Sequence, residues 1–495
     1  MALSDAKATV KDAPTQWHGY ARAAGILHSA MKLDEAHKMA CMAISRVDSS
    51  QAKRLESLEA LKAQIALARS RRDKLLVNCI KDLPIEIFTD IARLVVKEST
   101  GTVIRLSHVC STWRSVVQRT PFLWDTLVVT KWRPREKISL WIKCSQGRIR
   151  RLKVRANALD VYNWTGDDLR KLLWSELKIL DIEQWDVVPY LKSIGQLAAL
   201  ANIEELYLND LMFSKTGLQR QSTFSQPMHL RKFGVQHALL RDNDWAEHLG
   251  GLQYLSIQDS LCHAQPIRHL LKSSPGLETL ILEGIICPSS ASLDAVEMEL
   301  LRLQQIIVTG IFPAFIYKLV TPQLTSLQIN LPGFPLDTHF VNFCRSNKFS
   351  LHELVLRGCR INDAKILISL FVDCPELRTL EISGGTFYVN PVVEALKISK
   401  DSQRQNLCPL LENVTFANSV DLRVPGVVNL VQSRLPDEAQ ELPEENTAAT
   451  PIRSLNLDGC RQVDRQVAAW FAKNVPRFSN VFLKSKSSAR QQQWV

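Results

Sequence analysis

A chain of 495 residues with 46% hydrophobic content has material for two or three folded units and a sizeable core. That excludes a disordered tail protein and a disulfide-stapled miniprotein. Lys and Arg exceed Asp and Glu by 61 to 50, a formal charge of +11 that permits an anionic partner without requiring one.

The eleven cysteines lie singly along the chain with no CxxC pair. This argues against a zinc ribbon or a disulfide framework and for a reducing compartment, cytoplasmic or nuclear. Residues Met1 to Lys11 lack the apolar run of a secretory signal. The longest uncharged stretches, Leu303 to Tyr317 and Leu319 to Leu336, are interrupted by Gly310, Pro313 and Pro322, so no membrane span is expected.

Residues 1–50 read as a helical, partly flexible region. Within it, Leu33, Ala36, Ala40, Ala43 and Val47 recur at steps of three and four, which predicts one or two short helices. After a break at Asp48 to Ser50, residues 51–77 predict a helix of about seven turns. Its seam runs through Leu58, Leu61, Ile65, Ala68 and Leu75 and is interrupted at Arg72. The seam either docks on its own chain or forms a short dimerising coiled coil.

Residues 78–125 predict a small all-α module. Asp82 suits a helix cap, Pro84 and Glu86 suit the first turn, and Ile87, Ile91, Leu94 and Val95 form one apolar stripe. A second helix is expected from Val103 to Arg119, with Leu106, Val109, Cys110, Trp113, Val116 and Val117 on one side. So few helices cannot bury a secure core alone, and such a surface calls for a partner.

From residue 126 an internal repeat dominates. The pattern apolar-x-x-apolar-x-apolar is anchored at Leu127, Leu152, Leu180, Leu206, Phe233, Leu255, Leu280, Ile306, Leu327, Leu354, Leu380, Val414, Leu455 and Val481. Most intervals are 21 to 28 residues, with two longer ones of 34 and 41. This is the period of a leucine-rich repeat, in which each unit supplies a parallel strand, a turn and a returning helix, and stacking shares one core. Alternation along LETLILEGI turns Leu280 and Leu282 inward and Thr279, Ile281 and Glu283 onto the concave face. Cys359, Gly385 and Cys460 follow strands as buried turn residues. Residues 433–450 carry five acids and two prolines and read as an acidic disordered insertion or docking loop.

The segment LPIEIF at Leu83 to Phe88, the run RLSHVCSTWR at Arg105 to Arg114, and the closing FLW at Phe122 to Trp124 together resemble the F-box-like domain of F-box/leucine-rich-repeat proteins. With the helix before and the repeats after, the resemblance extends over residues 76–485 and departs from the family at Ala92, where a larger apolar residue is common. It implies an α/β fold of N-terminal helices, a helical module and a leucine-rich-repeat solenoid with a curved parallel sheet. It also implies a non-catalytic receptor subunit of a cullin-RING (SCF-type) ubiquitin ligase, with a Skp-type adaptor and a protein substrate as partners. Leu83, Pro84, Ile87, Leu106, Val109, Cys110 and Trp113 match adaptor-facing or module-core positions of that family.

No phosphate loop, dinucleotide fingerprint, HExxH, GxSxG or EF-hand loop occurs, His108 has no paired acid nearby, and neither catalysis nor a cofactor is expected. Residues 131–155 hold ten bases against one acid, with Trp132 and Trp141 between them. They suit either a solvated outer face or a nucleic-acid contact. The concave positions instead carry Asp181, Glu183, Glu205, Glu283, Glu353, Glu381 and Asp458 against Lys232, Arg357 and Lys484, a slightly acidic face. Ile281, Glu283, Ile307, Glu353, Val355, Arg357 and Glu381 are the candidate substrate contacts there, for a basic or mixed segment. The rival to a ligase receptor is an interaction scaffold in which the helical module only caps the repeats.

Overall fold

The computed structural model describes residues 2–48, 50–75, 83–155, 166–185, 187–210, 229–240, 249–285, 297–310, 314–336, 338–347, 351–385, 388–399, 405–435, 449–460 and 462–481. Asp82, Lys484 and most of the acidic stretch 433–450 lie outside them. The chain divides into two compact units, Met1–Glu98 and Ser99–Val495, and the division falls inside the segment 78–125.

The first unit holds helices α1 (Ala2–Asp12), α2 (Trp17–Ser29), α3 (Leu33–Ile44), α4 (Ala52–Leu75) and α5 (Ile85–Glu98). Leu33, Ala36, Ala40 and Ala43 are all fully buried, and the small alanines let helix backbones approach closely. Ala24, Leu27, Ala36, Ala40 and Ile65 share one cluster, and Tyr20, Ala43 and Leu58 share another. The seam of α4 therefore packs on α2 and α3. Where that seam is interrupted, Arg72 joins Arg69 in pairing with Asp34 on α3, each at 2.9 Å.

The second unit opens with α6 (Thr102–Ser107) and α7 (Ser111–Gln118). This corrects the single helix expected over Val103 to Arg119. The chain leaves the helix at His108 to Cys110, where Cys110 is extended and caps α7, its sulfur accepting the Trp113 N–H at 3.4 Å. Val117 is then buried while Val109 and Cys110 face solvent, so these residues do not share one side. Trp124 is buried and donates its indole N–H to the Val117 carbonyl at 2.8 Å, which ties α7 to the first strand.

Fourteen parallel strands follow in one sheet, each beside the next in chain order. They are β1 (Thr126–Val129), β2 (Arg151–Val154), β3 (Ile179–Glu183), β4 (Glu205–Asn209), β5 (Lys232–Gln236), β6 (Tyr254–Gln258) and β7 (Thr279–Glu283). The rest are β8 (Gln305–Thr309), β9 (Ser326–Asn330), β10 (Glu353–Arg357), β11 (Thr379–Ser383), β12 (Asn413–Thr415), β13 (Ser454–Asn456) and β14 (Arg477–Ser479).

The anchors from Leu127 to Leu455 stand opposite one another in a single row across the sheet. The last anchor is corrected: Phe478, not Val481, faces Leu455. Its ring packs 5.2 Å from that of Phe471, whereas Val481 is 57% exposed.

The turns after the strands repeat as faithfully. Gln184, Asp210, His237, Asp259, Gly284, Gly310, Gly358 and Gly384 all have positive φ. The N–H groups of Gln184, Asp210, His237, Asp259, Gly284 and Gly310 each donate to the last residue of the following strand, from Asn209 through Asn330. Glycine is needed at Gly310, where a Cβ would sit 3.2 Å from the Gly284 backbone. Among the described residues no helix is long and apolar enough to cross a membrane.

Candidate partner-binding surfaces

Helix α5 carries three lengthwise stripes. Phe88, Ala92 and Val96 are buried, and the departure at Ala92 thus lies on the covered side. Glu86, Asp90, Arg93 and Lys97 form a charged, solvated stripe. Between them run Ile87 (49% exposed), Ile91 (50%), Leu94 (64%) and Val95 (39%), offset by one residue and so about 100° from the buried row. A helix face meant only for water carries charge, as the other exposed stripe does. This one carries four large aliphatic groups.

The positions resembling the F-box-like motif divide by exposure. Pro84, Ile87, Val109 and Cys110 are exposed, while Leu83, Leu106 and Trp113 are half-buried. Ile85 and Phe122, inside the LPIEIF and FLW motifs but outside both apolar stripes, are also exposed, at 60% and 39%. Leu83 to Ile87 belong to the first unit, and Leu106 to Trp113 to the second.

The half-exposed face of the sheet holds the second candidate surface. Ile281, Ile307 and Val355 lie on one rung, continued to Glu381, and Glu283 and Arg357 lie level two residues further along. Glu353 stands two residues before the isoleucine rung, level with Ser326. The structure thus brings the seven candidate substrate contacts onto one face. Val355, however, is only 3% exposed and offers little area.

Most acids on this face already have cations. Asp181 pairs with Lys153 at 3.1 Å and Arg155 at 3.6 Å, Glu183 pairs with Arg155, and Glu205 pairs with Lys232 at 3.1 Å. Lys153 and Arg155 were missed as face residues, although alternation through RRLKVR places Arg151, Lys153 and Arg155 together. Arg357 binds both oxygens of Glu381, at 2.7 and 2.8 Å. Burial alone would raise the Glu381 pKa, but the hydrogen bonds from Arg357 and Ser383 outweigh it and hold the carboxyl below its usual range.

Three acids differ. Asp458 accepts from Ser479 Oγ and the Val481 N–H and so locks a turn. Among the described residues, Glu283 accepts only from the Gln258 amide at 2.6 Å, and Glu353 only from the Ser326 hydroxyl at 2.7 Å.

The basic stretch 131–155 is partly structural. Trp141 is 3% exposed and donates to the Thr126 carbonyl at 2.9 Å, with its ring edge-on to Trp124, so only Trp132, at 77%, is left to stack on a ligand. No group of three or more His, Cys, Asp or Glu able to hold a metal occurs among the described residues. Burial pushes the Cys359 thiol up to about 11 and the Cys374 and Cys408 thiols up to about 12, which leaves almost no thiolate near neutrality. No protein-family model matches this chain, and no curated protein matches it.

Proposed function

We propose that this chain is a substrate-recognition subunit of a cullin-RING ubiquitin ligase. In this reading the parallel sheet is the inner face of a leucine-rich-repeat solenoid that holds the substrate. The helices around Leu83 to Trp124 are an F-box-like module that docks on a Skp-type adaptor. The chain performs no bond chemistry; by holding the substrate beside a ligase-bound donor it raises the effective concentration of a reactive lysine.

The observation that carries this reading is the aliphatic stripe of Ile87, Ile91, Leu94 and Val95 standing in solvent beside a buried stripe on the same helix. The motifs LPIEIF, VCSTW and FLW, in that order ahead of fourteen in-line strands, point the same way. The test is gel filtration of the purified full chain with a Skp-type adaptor. Co-elution is expected, and separate peaks at micromolar concentrations overturn the assignment.

A further inference from the structure

We propose that the sheet face spanning β7 to β10 binds an extended peptide with two basic side chains six positions apart and an apolar side chain midway between them. Calling that peptide a substrate rests on the receptor reading above; the binding itself does not.

The argument starts from charge matching. On β2 to β5, Asp181, Glu183 and Glu205 are neutralised by Lys153, Arg155 and Lys232, and on β10 and β11 Glu381 is neutralised by Arg357. Glu283 on β7 and Glu353 at the start of β10 are held instead by an amide and a hydroxyl, with no cation within ion-pair distance among the described residues. Arg357 feels the charge of Glu353 as well, but its guanidinium is hydrogen-bonded to both oxygens of Glu381. Two carboxylates thus remain to attract positive charge.

Register fixes where they stand. Glu283 is level with Thr309, Asn330 and Arg357, while Glu353 is level with Ser326, Gln305 and Thr279. The two glutamates are therefore three strands apart and four residues offset along the strand direction. At about 4.8 Å between strands and 3.3 Å per residue, these offsets place them roughly 19 Å apart on a diagonal. A peptide in the extended polyproline II conformation, rising about 3.1 Å per residue, covers that span in about six residues, and its three-residue turn sets positions one, four and seven on the same side. The midpoint of the diagonal falls beside Ile307, whose rung neighbours are Ile281 and Gln328. Ile281 and Ile307 are both half-exposed, so an aliphatic or aromatic side chain at the central position has a surface to cover. The chemistry specified is basic-x-x-apolar-x-x-basic.

The test uses the full chain and a fluorescein-labelled peptide with blocked ends, Arg-Ser-Ser-Leu-Ser-Ser-Arg, read by fluorescence polarisation. The counter-probe replaces both arginines by glutamates. The native chain is expected to prefer the arginine probe by on the order of tenfold, because two attractive surface pairs are exchanged for two repulsive ones. The double variant Glu283→Lys, Glu353→Lys is expected to reverse that preference. A probe with its arginines only three positions apart is expected to bind as weakly as the counter-probe.

Equal binding of the two probes, absence of saturable binding at 1 mM probe, or indifference to the charge reversal each overturns the proposal. A polarisation signal that survives in a chain unable to hold the adaptor supports the peptide site while removing the ligase reading, so the two failures are separable.

Discussion

Replacing Ile91 and Leu94 together by alanine probes the exposed stripe of α5 without touching its buried one. Full burial of a Leu or Ile side chain is worth about 1.5–3 kcal/mol. Ile91 is 50% exposed and Leu94 64% exposed in the free chain. A partner that covers them recovers that share, about 1–2 kcal/mol each, and truncation to the β-carbon forfeits most of it. The sum, about 2–3 kcal/mol, corresponds to a roughly 30- to 150-fold rise in Kd for a Skp-type adaptor.

Alanine is a strong helix former, but the share of each side chain that its own chain covers is lost as well, so stability should fall by about 1–2 kcal/mol. Phe88→Ala is the contrast. That ring is only 8% exposed, and its loss should destabilise the fold by about 3–5 kcal/mol. Titration calorimetry with the adaptor, paired with thermal denaturation of each variant, separates the two effects. The reasoning fails if the double variant binds the adaptor as tightly as the native chain, or if it melts as early as Phe88→Ala.

Arg434, 2% exposed, donates to the carbonyls of Leu396, Leu407, Cys408 and Pro409 although burial lowers its pKa to about 10. Arg434→Met leaves the Leu396 and Leu407 carbonyls without this donor, while those of Cys408 and Pro409 keep the Leu411 and Thr450 N–H groups, and should cost about 3 kcal/mol in urea denaturation; Arg434→Lys should not restore it, because one ammonium cannot span all four. The depressed Glu381 pKa means that its contribution is complete above the ordinary carboxyl value of 4.5 and is lost as pH falls through the lower folded value. Arg357→Leu removes the main counterweight to burial, so the acid limb of unfolding should move to higher pH. Because Arg357 is 47% exposed the loss should stay near or below about 1 kcal/mol, and an unshifted acid limb in a urea series from about pH 3 to 6 refutes the pairing. At Gly385 a Cβ would run into the Cys359 carbonyl oxygen, a backbone atom that cannot swing aside, so Gly385→Ala should cost about 1–3 kcal/mol, read as a lowered melting temperature.

The repeat was legible because a strand that buries one face must keep its period of two, and the row from Leu127 to Leu455 follows from that constraint. The final repeat was not, because Phe478 and Val481 both satisfy apolar spacing, and only the packing of Phe478 on Phe471 decides between them. The break between α6 and α7 was hidden for a related reason. Nothing in RLSHVCSTWR forbids a continuous helix, and Cys110 is an uncommon cap. The apolar stripe of α5 was readable from its spacing, but its exposure was not, since periodicity does not say whether a face is covered by its own chain. The charge of the sheet face was misread by treating Lys153 and Arg155 as part of a basic stretch when their strand positions set them against Asp181 and Glu183.

The distribution of those pairs also decides where on the sheet a ligand meets least resistance. Covering β2 to β5 takes formed ion pairs out of water, a desolvation cost that a new ligand must overcome before it gains anything. The same holds over Arg357 and Glu381. On β7 to β9 the middle rung presents Ile281, Ile307 and Gln328, with Thr279, Gln305 and Ser326 on one side and Glu283, Thr309 and Asn330 on the other. A ligand laid there removes apolar surface from water and breaks no ion pair. The ladder of turn hydrogen bonds from Asp259 through Gly310 fixes the strand ends around this region, so little backbone order has to be created on binding. Weak desolvation and an apolar centre thus coincide on β7 to β9, with Glu283 at one corner and Glu353, at the start of β10, just beyond the other, and it is there rather than over the ion pairs that recognition is expected.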